Sequence, residues 1–281
     1  MVPDTLGVLG LGAVGGSIAW QAARLGVPRI LGYDASTRDG VAAVKAGAVT
    51  ELVRDAATVV ANADFVVIAG SGDDTRAQLC ALASLLLERG VFCTDVTAVK
   101  RPVVALAEEL GLAAVFAGSH PHVGPTSDGF RCANPGLLSG TLVYVTPVMG
   151  GDRAADEVRD FWTRSIGANP VALDATQHDQ LHAWTGHLPQ TVASALAAAM
   201  AAGGPAGVTY GNSALEATRQ ARCGTALWAE VLVANRDNVL DALRGFAASL
   251  DELREALAAG NRRRVETWLT AAADWRGRFE P

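Results

Sequence analysis

Three groups of residues in this chain have types and spacings that can do chemistry. The first is Gly10-Leu11-Gly12-Ala13-Val14-Gly15, a G-x-G-x-x-G run between an apolar stretch and a helical one. There the first glycine permits a tight turn and the second lets backbone N–H groups approach a pyrophosphate. The third allows close helix–strand packing, with the phosphate on the helix N-terminus. Asp34, about 20 residues further on, is placed to accept hydrogen bonds from ribose hydroxyls and to repel a 2′-phosphate, which favours NAD. Arg38 close by could pair with that phosphate, so NADP stays open. A surface turn that happens to hold three glycines is the plainer alternative.

The second group is the histidines, all five of which lie between residues 120 and 187. His120 and His122 fall in Gly118-Ser119-His120-Pro121-His122, expected just after a strand, where a doubly wound sheet faces its ligand crevice. An imidazole there has the right pKa range to take a proton as a hydride leaves. A turn histidine held by its own backbone fits that segment as well. His178 and His182 share a helix face at i and i+4, which invites a metal reading. The glutamate of the zinc-peptidase pattern is replaced by Asp179, and a third ligand would be needed. No metal is expected, and a satisfied interdomain or helix-capping role is preferred for both. Pro189 would open or kink a helix and present His187 to a cleft. The third group is the arginine of Ala217-Thr218-Arg219 with the nearby Leu227-Trp228. Taken alone, Arg219 is an exposed helix arginine and Trp228 a core residue.

These groups must be positioned by two styles of chain. Up to about residue 173, short β-branched runs (6–11, 29–33, 64–69, 91–95, 114–117, 141–146) alternate with helical stretches (14–25, 41–46, 75–88, 102–110, 152–166). Such alternation implies an α/β fold with a Rossmann-type doubly wound, mostly parallel sheet over residues 1–173. From 174 to 281 strand signals vanish. Helices are expected at 178–202, 213–221, 226–258 and 265–273, alanine-rich enough for close packing. An all-α segment this apolar has little core of its own, so a homodimer interface is expected to bury the surplus.

Composition narrows the classes further. The 281 residues are 50% hydrophobic, 19% charged and 6% aromatic, with a formal net charge of −6, so no general nucleic-acid affinity is expected. No signal peptide is read at the N-terminus, and the longest late apolar run, about a dozen residues, is short of the roughly 20 a bilayer span needs. A cytoplasmic protein with no membrane association is expected. Cys80, Cys93, Cys132 and Cys223 contain no C-x-x-C pair and read as buried small hydrophobes in a reducing compartment. Lys45 and Lys100 are the only lysines, so lysine chemistry is excluded from the second half.

The order of motifs resembles the prephenate and arogenate dehydrogenases, over essentially the whole chain. The resemblance rests on the glycine loop, Asp95-Val96-Thr97-Ala98-Val99-Lys100, Gly118-Ser119-His120-Pro121, His178-Asp179, His187-Leu188-Pro189, Ala217-Thr218-Arg219, Leu227-Trp228 and the tail beginning Asn235-Arg236-Asp237. It implies NAD(P)-dependent oxidative decarboxylation of a cyclohexadiene acid: prephenate, arogenate or the 4-amino-4-deoxy analogue, in tyrosine or related secondary metabolism. His120 would draw off the proton of the C4 hydroxyl, and Arg219 would hold a substrate carboxylate by a charge-assisted fork. His187, Trp228, Thr97 and Gln190 would line the same pocket. Gly10 to Gly15, Asp34 and Ser71 would hold the cofactor, and the helical domain would dimerise.

Several positions depart from the family pattern. Ala98 stands where a serine commonly helps orient the histidine and the C4 hydroxyl. Gly124-Pro125-Thr126 stands for Gly-Thr-Glu, Gln190 for a second histidine, and the Gly70-Ser71-Gly72 loop lacks a common proline. Losing the serine makes an amino group at C4 a plausible substrate feature, since an unpaired polar group in a buried site costs roughly 1–3 kcal/mol. Two other readings compete: an NAD-binding sensor without turnover, and a β-hydroxyacid dehydrogenase. The second needs a catalytic lysine that neither Lys45 nor Lys100 supplies.

Overall fold

The computed structural model describes residues 2–123, 129–204, 209–222 and 224–279. The chain forms two compact units, Met1–Asn235 and Arg236–Pro281. The first is built on a five-stranded parallel sheet in the order β3-β2-β1-β4-β5, formed by β1 (Thr5–Leu9), β2 (Arg29–Tyr33), β3 (Glu51–Leu52), β4 (Phe65–Ile68) and β5 (Phe92–Asp95). That order reverses at β1/β4, the switch point where a doubly wound sheet opens its ligand crevice. The strands are apolar on both faces because helices cover both. Leu6, Val8, Phe65 and Val67 pack with Ile18 and Ala22 of α1 (Ala13–Arg24) and with Phe161 and Trp162 of α6 (Asp152–Arg164). Leu9, Val66 and Ile68 point the other way. They meet α3 (Ala56–Asn62), α4 (Gly72–Arg89) and α5 (Arg101–Glu109) through Val59, Leu79, Leu86 and Val103.

A second sheet has the order β6-β7-β8, from β6 (Ala117–Pro121), β7 (Leu142–Pro147) and β8 (Asn169–Ala172). β6 and β7 are antiparallel and β7 and β8 parallel, and a bridge between Cys93 and Phe116 ties this sheet to β5. Three corrections to the sequence reading follow. Residues 112–114 form a 3₁₀ turn rather than the start of a strand, so β6 begins later and His120 lies within it, not beyond it. β3, α3 and β8 were not anticipated; each is short, and β8 carries Pro170, a residue that argues against a strand. The helix expected at 41–46 is α2 (Thr37–Lys45), which starts earlier because Ser36 accepts the Asp39 amide and caps it.

After Asp174, which caps it, α7 (Ala175–His182) runs through one π-helical turn (Ala183–His187) into α8 (Leu188–Gly203). Pro189 cannot donate to the carbonyl four residues back, so the widened turn replaces the kink its ring would otherwise cause. α9 (Asn212–Ala217), a 3₁₀ turn (Arg219–Arg222) and α10 (Thr225–Ala234) complete the unit. The second unit is an antiparallel pair, α11 (Arg236–Ala258) and α12 (Arg262–Gly277), in which the Trp268 indole N–H donates to the carbonyl and hydroxyl of Ser249. Leu250, Leu257, Leu269 and Trp275 of this pair are exposed. Among the described residues no helix is long and apolar enough to cross a membrane. Cys93 is buried as expected, but Cys80 is exposed on α4, where it falls on the polar side of the helix; Cys223 lies outside the described residues.

Candidate active site

β6 carries His120 up to the second sheet's edge, directly opposite Tyr144 of β7, and α7 lays His178 and His182 against it. His120 Nδ1 lies 3.0 Å from His178 Nε2, and His178 Nδ1 lies 2.8 Å from Asp179 Oδ1. A carboxylate only accepts, so the His178 proton sits on Nδ1 and its Nε2 is a lone pair. That lone pair in turn accepts the Nδ1–H of His120. The chain Asp179–His178–His120 therefore leaves a lone pair on His120 Nε2, the atom that bonds no other group among the described residues. His120 as a whole is half-buried.

Asp179 is held by more than its histidine. The backbone amides of Lys100 and Arg101 donate to its two oxygens at 2.8 and 2.9 Å, and Arg101 Nε reaches Oδ2 at 3.3 Å. Burial pushes this carboxyl up, but the bonds from His178 and the two amides outweigh it and hold the group below its ordinary range. Burial is also the leading cause at the imidazoles. It holds His120 well below the usual range, helped by His182, His178 and Lys100, and lowers His178 against the pull of Asp179. His182 and His187 are pushed down to about 3 and about 4 by burial. The rings therefore stand neutral at pH 7.

The satisfied role expected for His178 holds, since both its ring nitrogens are hydrogen-bonded; the satisfied or capping role expected for His182 does not. His178 sits between Asp179 and His120, whereas His182 Nε2 is buried with no hydrogen-bond partner. The rings continue from His120 to His182 (4.6 Å between centroids), His182 to His187 (6.3 Å) and His187 to Trp228 (6.1 Å), with His122 5.6 Å from His182. All five histidines thus join one cluster. The π-turn brings His182 and His187, five residues apart, onto the same side.

The residue before His120 is locked from beneath. Lys100, fully buried, donates its Nζ to Asp95 Oδ2 and to the Ser119 carbonyl, both at 2.6 Å. Asp95 Oδ1 accepts the Ser119 amide at 3.0 Å, and the Ser119 hydroxyl meets Thr94 Oγ1 and accepts the Trp162 indole N–H. Burial lowers Lys100, and the Asp95 carboxylate opposes it. Thr97 turns its hydroxyl to the same Asp95 and to the Val99 carbonyl, at 8% exposure, while its neighbour Ala98 is half-buried. Asp95, Lys100, Ser119 and Asp179 support the candidate site, and spacing alone did not single them out. The buried lysine and two buried aspartates become informative only once β5, β6 and α7 are adjacent.

The glycine loop fits a nucleotide's phosphates. Gly10 has φ +93°, and a Cβ on Gly15 would lie 2.0 Å from the Gly10 carbonyl oxygen. A Cβ on Gly12 would meet nothing within 4 Å, so the space in front of α1 is open. No side chain caps α1 and no acid lies in its first turn, which leaves its leading N–H groups for an anion. Leu11 N–H and Ser36 N–H both donate to Asp34, at 2.5 and 2.6 Å, placing that carboxylate at the end of β2 beside the loop. Ser71 caps α4 through the Asp74 amide, and in the same first turn Glu230 of α10 accepts the Asp73 amide at 3.0 Å. Arg219 is exposed and bonds no other group among the described residues. Gln190 reaches its turn by donating to the Gln220 carbonyl at 2.9 Å, and His187 is buried with Nδ1 3.1 Å from Asn235 Nδ2. The structure thus gathers His120, His187 and Trp228 along one run of rings. Gly124, Pro125 and Thr126 lie outside the described residues.

Comparison with known proteins decides the family. The prephenate dehydrogenase nucleotide-binding domain matches residues 21–171, and the prephenate dehydrogenase dimerization domain matches residues 174–271. The chain belongs to the prephenate dehydrogenase family. It is 28% identical to prephenate dehydrogenase of Bacillus subtilis, over 97% of this chain and 75% of the relative. It is likewise 28% identical to cyclohexadienyl dehydrogenase of Zymomonas mobilis, over 90% and 88%. The prephenate dehydrogenase of A. aeolicus, solved with hydroxyphenyl propionate and NAD+, superposes with a TM-score of 0.90 at 26% identity, covering 98% of both chains. A Synechocystis arogenate dehydrogenase shares the fold, with a TM-score of 0.79 at 22% identity. The chain is therefore an oxidoreductase with a Rossmann-type nucleotide domain followed by helices. The glycine loop precedes the matched nucleotide-domain span.

Proposed function

We propose that this protein oxidatively decarboxylates a prephenate-type cyclohexadiene acid with NAD, and that His120 is the base. The observation that carries the base assignment is the Asp179–His178–His120 chain, which leaves an acceptor nitrogen on a neutral, half-buried imidazole. The family match and the NAD+ of the A. aeolicus neighbour support the cofactor, and the open space before α1 with Asp34 beside it supports NAD over NADP. Gly10 to Gly15 and Asp34 would hold NAD, which would supply the acceptor for the hydride of ring C4. His120 Nε2 takes the proton of the C4 hydroxyl as the C4 carbonyl forms; the C–CO2 bond then breaks as CO2 leaves, its electron pair completes the aromatic ring, and the C4 oxygen takes the proton back from His120 to become the phenol. The proton's charge is shared along His178 toward Asp179, which stays ionised. Arg219, exposed and uncommitted, holds a substrate carboxylate, with His187, Trp228, Gln190 and Thr97 shaping that side of the pocket.

The same reading takes residues 1–173 as the cofactor-binding half and 174–281 as the substrate and dimerisation half of a cytoplasmic homodimer serving aromatic amino-acid biosynthesis. The match to the dimerization domain and the exposed leucines of α11 and α12 support the homodimer. The test is NADH formation with prephenate, arogenate and the 4-amino analogue, each with NAD and NADP. His120→Asn should bind NAD normally and turn over at least about 100-fold more slowly. A wild-type rate in that variant would remove the base assignment. No NADH from any of the substrates would favour the non-catalytic sensor.

A further inference from the structure

One ring nitrogen from each of His120, His178 and His182 lies within 4.8 Å of the other two. The proton chain above uses the first two and gives His182 no task. Yet His182 is only 3% exposed, its Nε2 has no partner, and its ring centroid lies 4.3 Å from that of His178 and 4.6 Å from that of His120. A buried polar atom without a partner costs about 1–3 kcal/mol, so its retention asks for a ligand.

We propose that these three histidines form a site for a Zn2+-class transition-metal ion, and that occupancy switches the enzyme off. Three neutral imidazoles without a first-sphere carboxylate suit Zn2+ and Co2+, not Mg2+ or Ca2+. His120 Nδ1 and His178 Nε2 are 3.0 Å apart, and two nitrogens bound to one tetrahedral ion sit about 3.3 Å apart, so a small parting of the rings admits it. Asp179 already grips the far nitrogen of His178, the outer-sphere carboxylate that metal-bound histidines usually have.

The inhibition follows from one proton. An ion on His120 Nδ1 takes the place of the hydrogen shared with His178. Neutral His120 must then carry its proton on Nε2, and the lone pair that accepts the substrate proton is gone. No proton leaves the protein, because His178 keeps Nδ1–H toward Asp179 and His182 ligates through its free lone pair. This inhibitory consequence rests on the proposed role of His120; occupancy of the site does not.

The test uses the full-length protein stripped with a chelator and titrated with Co2+, then Zn2+. One Co2+ per chain should give the visible bands of a tetrahedral ion, displaced by Zn2+. His182→Phe should weaken binding by about 100-fold or more, while Cys80→Ser, which removes an exposed competing thiol, should leave it unchanged. In the wild type, Zn2+ should shift the ring 15N signals of three histidines together, which reads the ligand set even if His182→Phe folds poorly. Absent bands, thiolate-to-cobalt absorption, or fewer than three shifted histidines would overturn the site. NADH formation should fall in step with occupancy. An occupied site with full activity would overturn the inhibition alone, and failure to oxidise any prephenate-type substrate would leave the binding result standing.

Discussion

Asp179→Asn isolates the proton chain with almost no change of shape. Oδ1 accepts from His178 Nδ1 and the Lys100 amide, and Oδ2 from the Arg101 amide and side chain, so the new NH2 faces donors whichever way it turns. With the oxygen kept toward His178, its tautomer survives but the anion is lost. With the NH2 there, His178 must move its proton to Nε2, His120 must accept it at Nδ1, and His120 Nε2 becomes a donor. In the first case, losing a charge-assisted bond worth about 1.5–3 kcal/mol lowers kcat by roughly 10- to 150-fold. In the second the tautomer itself is wrong, and by analogy with the Asp→Asn change in a Ser-His-Asp triad the loss approaches roughly 10,000-fold. Initial rates of NADH formation across the pH range, with NAD affinity and Tm measured alongside, separate this from damage to the fold. The acid limb of kcat/KM should move to lower pH in the variant, because His120 loses the anion that favours its protonated form. A kcat within about 3-fold of wild type with an unmoved pH profile would refute the proton chain.

Arg219→Gln should raise KM for the substrate roughly 10- to 150-fold with little change in Tm, since the side chain is exposed and makes no intramolecular bond among the described residues. A KM unchanged on every substrate tried would remove it from the carboxylate site. Lys100→Met leaves Asp95 buried without its cation and should destabilise the protein by about 3–5 kcal/mol in urea unfolding, with part recovered in Lys100→Met/Asp95→Asn. The histidines set an acid limit to stability. His187 has a folded pKa of about 4, below its unfolded value, so the unfolded chain takes the proton first as pH falls. Its contribution is intact above about pH 6.5 and lost progressively down to about pH 4, roughly 3 kcal/mol in all. Urea midpoints that do not fall over that window would contradict the buried neutral ring.

What was legible in the sequence followed from local rules. The glycine loop and Asp34 are read from a turn, a strand end and a spacing, and β1, α1, β2 and β4 came out with small shifts of boundary. His120 was found by motif, though it sits inside β6 because apolar residues 112–114 close a 3₁₀ turn instead of pairing. The rest is non-local. His178 was judged from its own helix, and nothing within α7 tells that residue 120, 58 positions earlier, donates to it. Lys100 was weighed only as a catalytic amine in another enzyme class. Its actual position, between Asp95 and the Ser119 carbonyl, depends on β5 and β6 lying side by side. The π-turn before Pro189 is a similar case, since proline predicts a disturbance of the helix but not which way the next histidine will face.

The charges around His120 also bear on which group the substrate carries at C4. The hydrogen bond on His120 goes to a neutral imidazole, and the anion of that chain, Asp179, stands one ring further back. A C4 hydroxyl enters this setting uncharged. A C4 ammonium would bring a full positive charge against imidazoles already held neutral by burial, with the Lys100 ammonium acting on the same ring. The absence of a hydroxyl at Ala98 weakens the grip on an alcohol, but a buried cation without an anion is the larger penalty, since an unpaired polar group costs about 1–3 kcal/mol and an unpaired charge more. Hydroxyl substrates should therefore exceed the 4-amino analogue in kcat/KM by at least about 10-fold near neutral pH, the gap narrowing at high pH as the amine loses its proton. A 4-amino analogue that is the better substrate at neutral pH would show that an anion reaches C4 from residues beyond His178 and Asp179, and would reverse the argument.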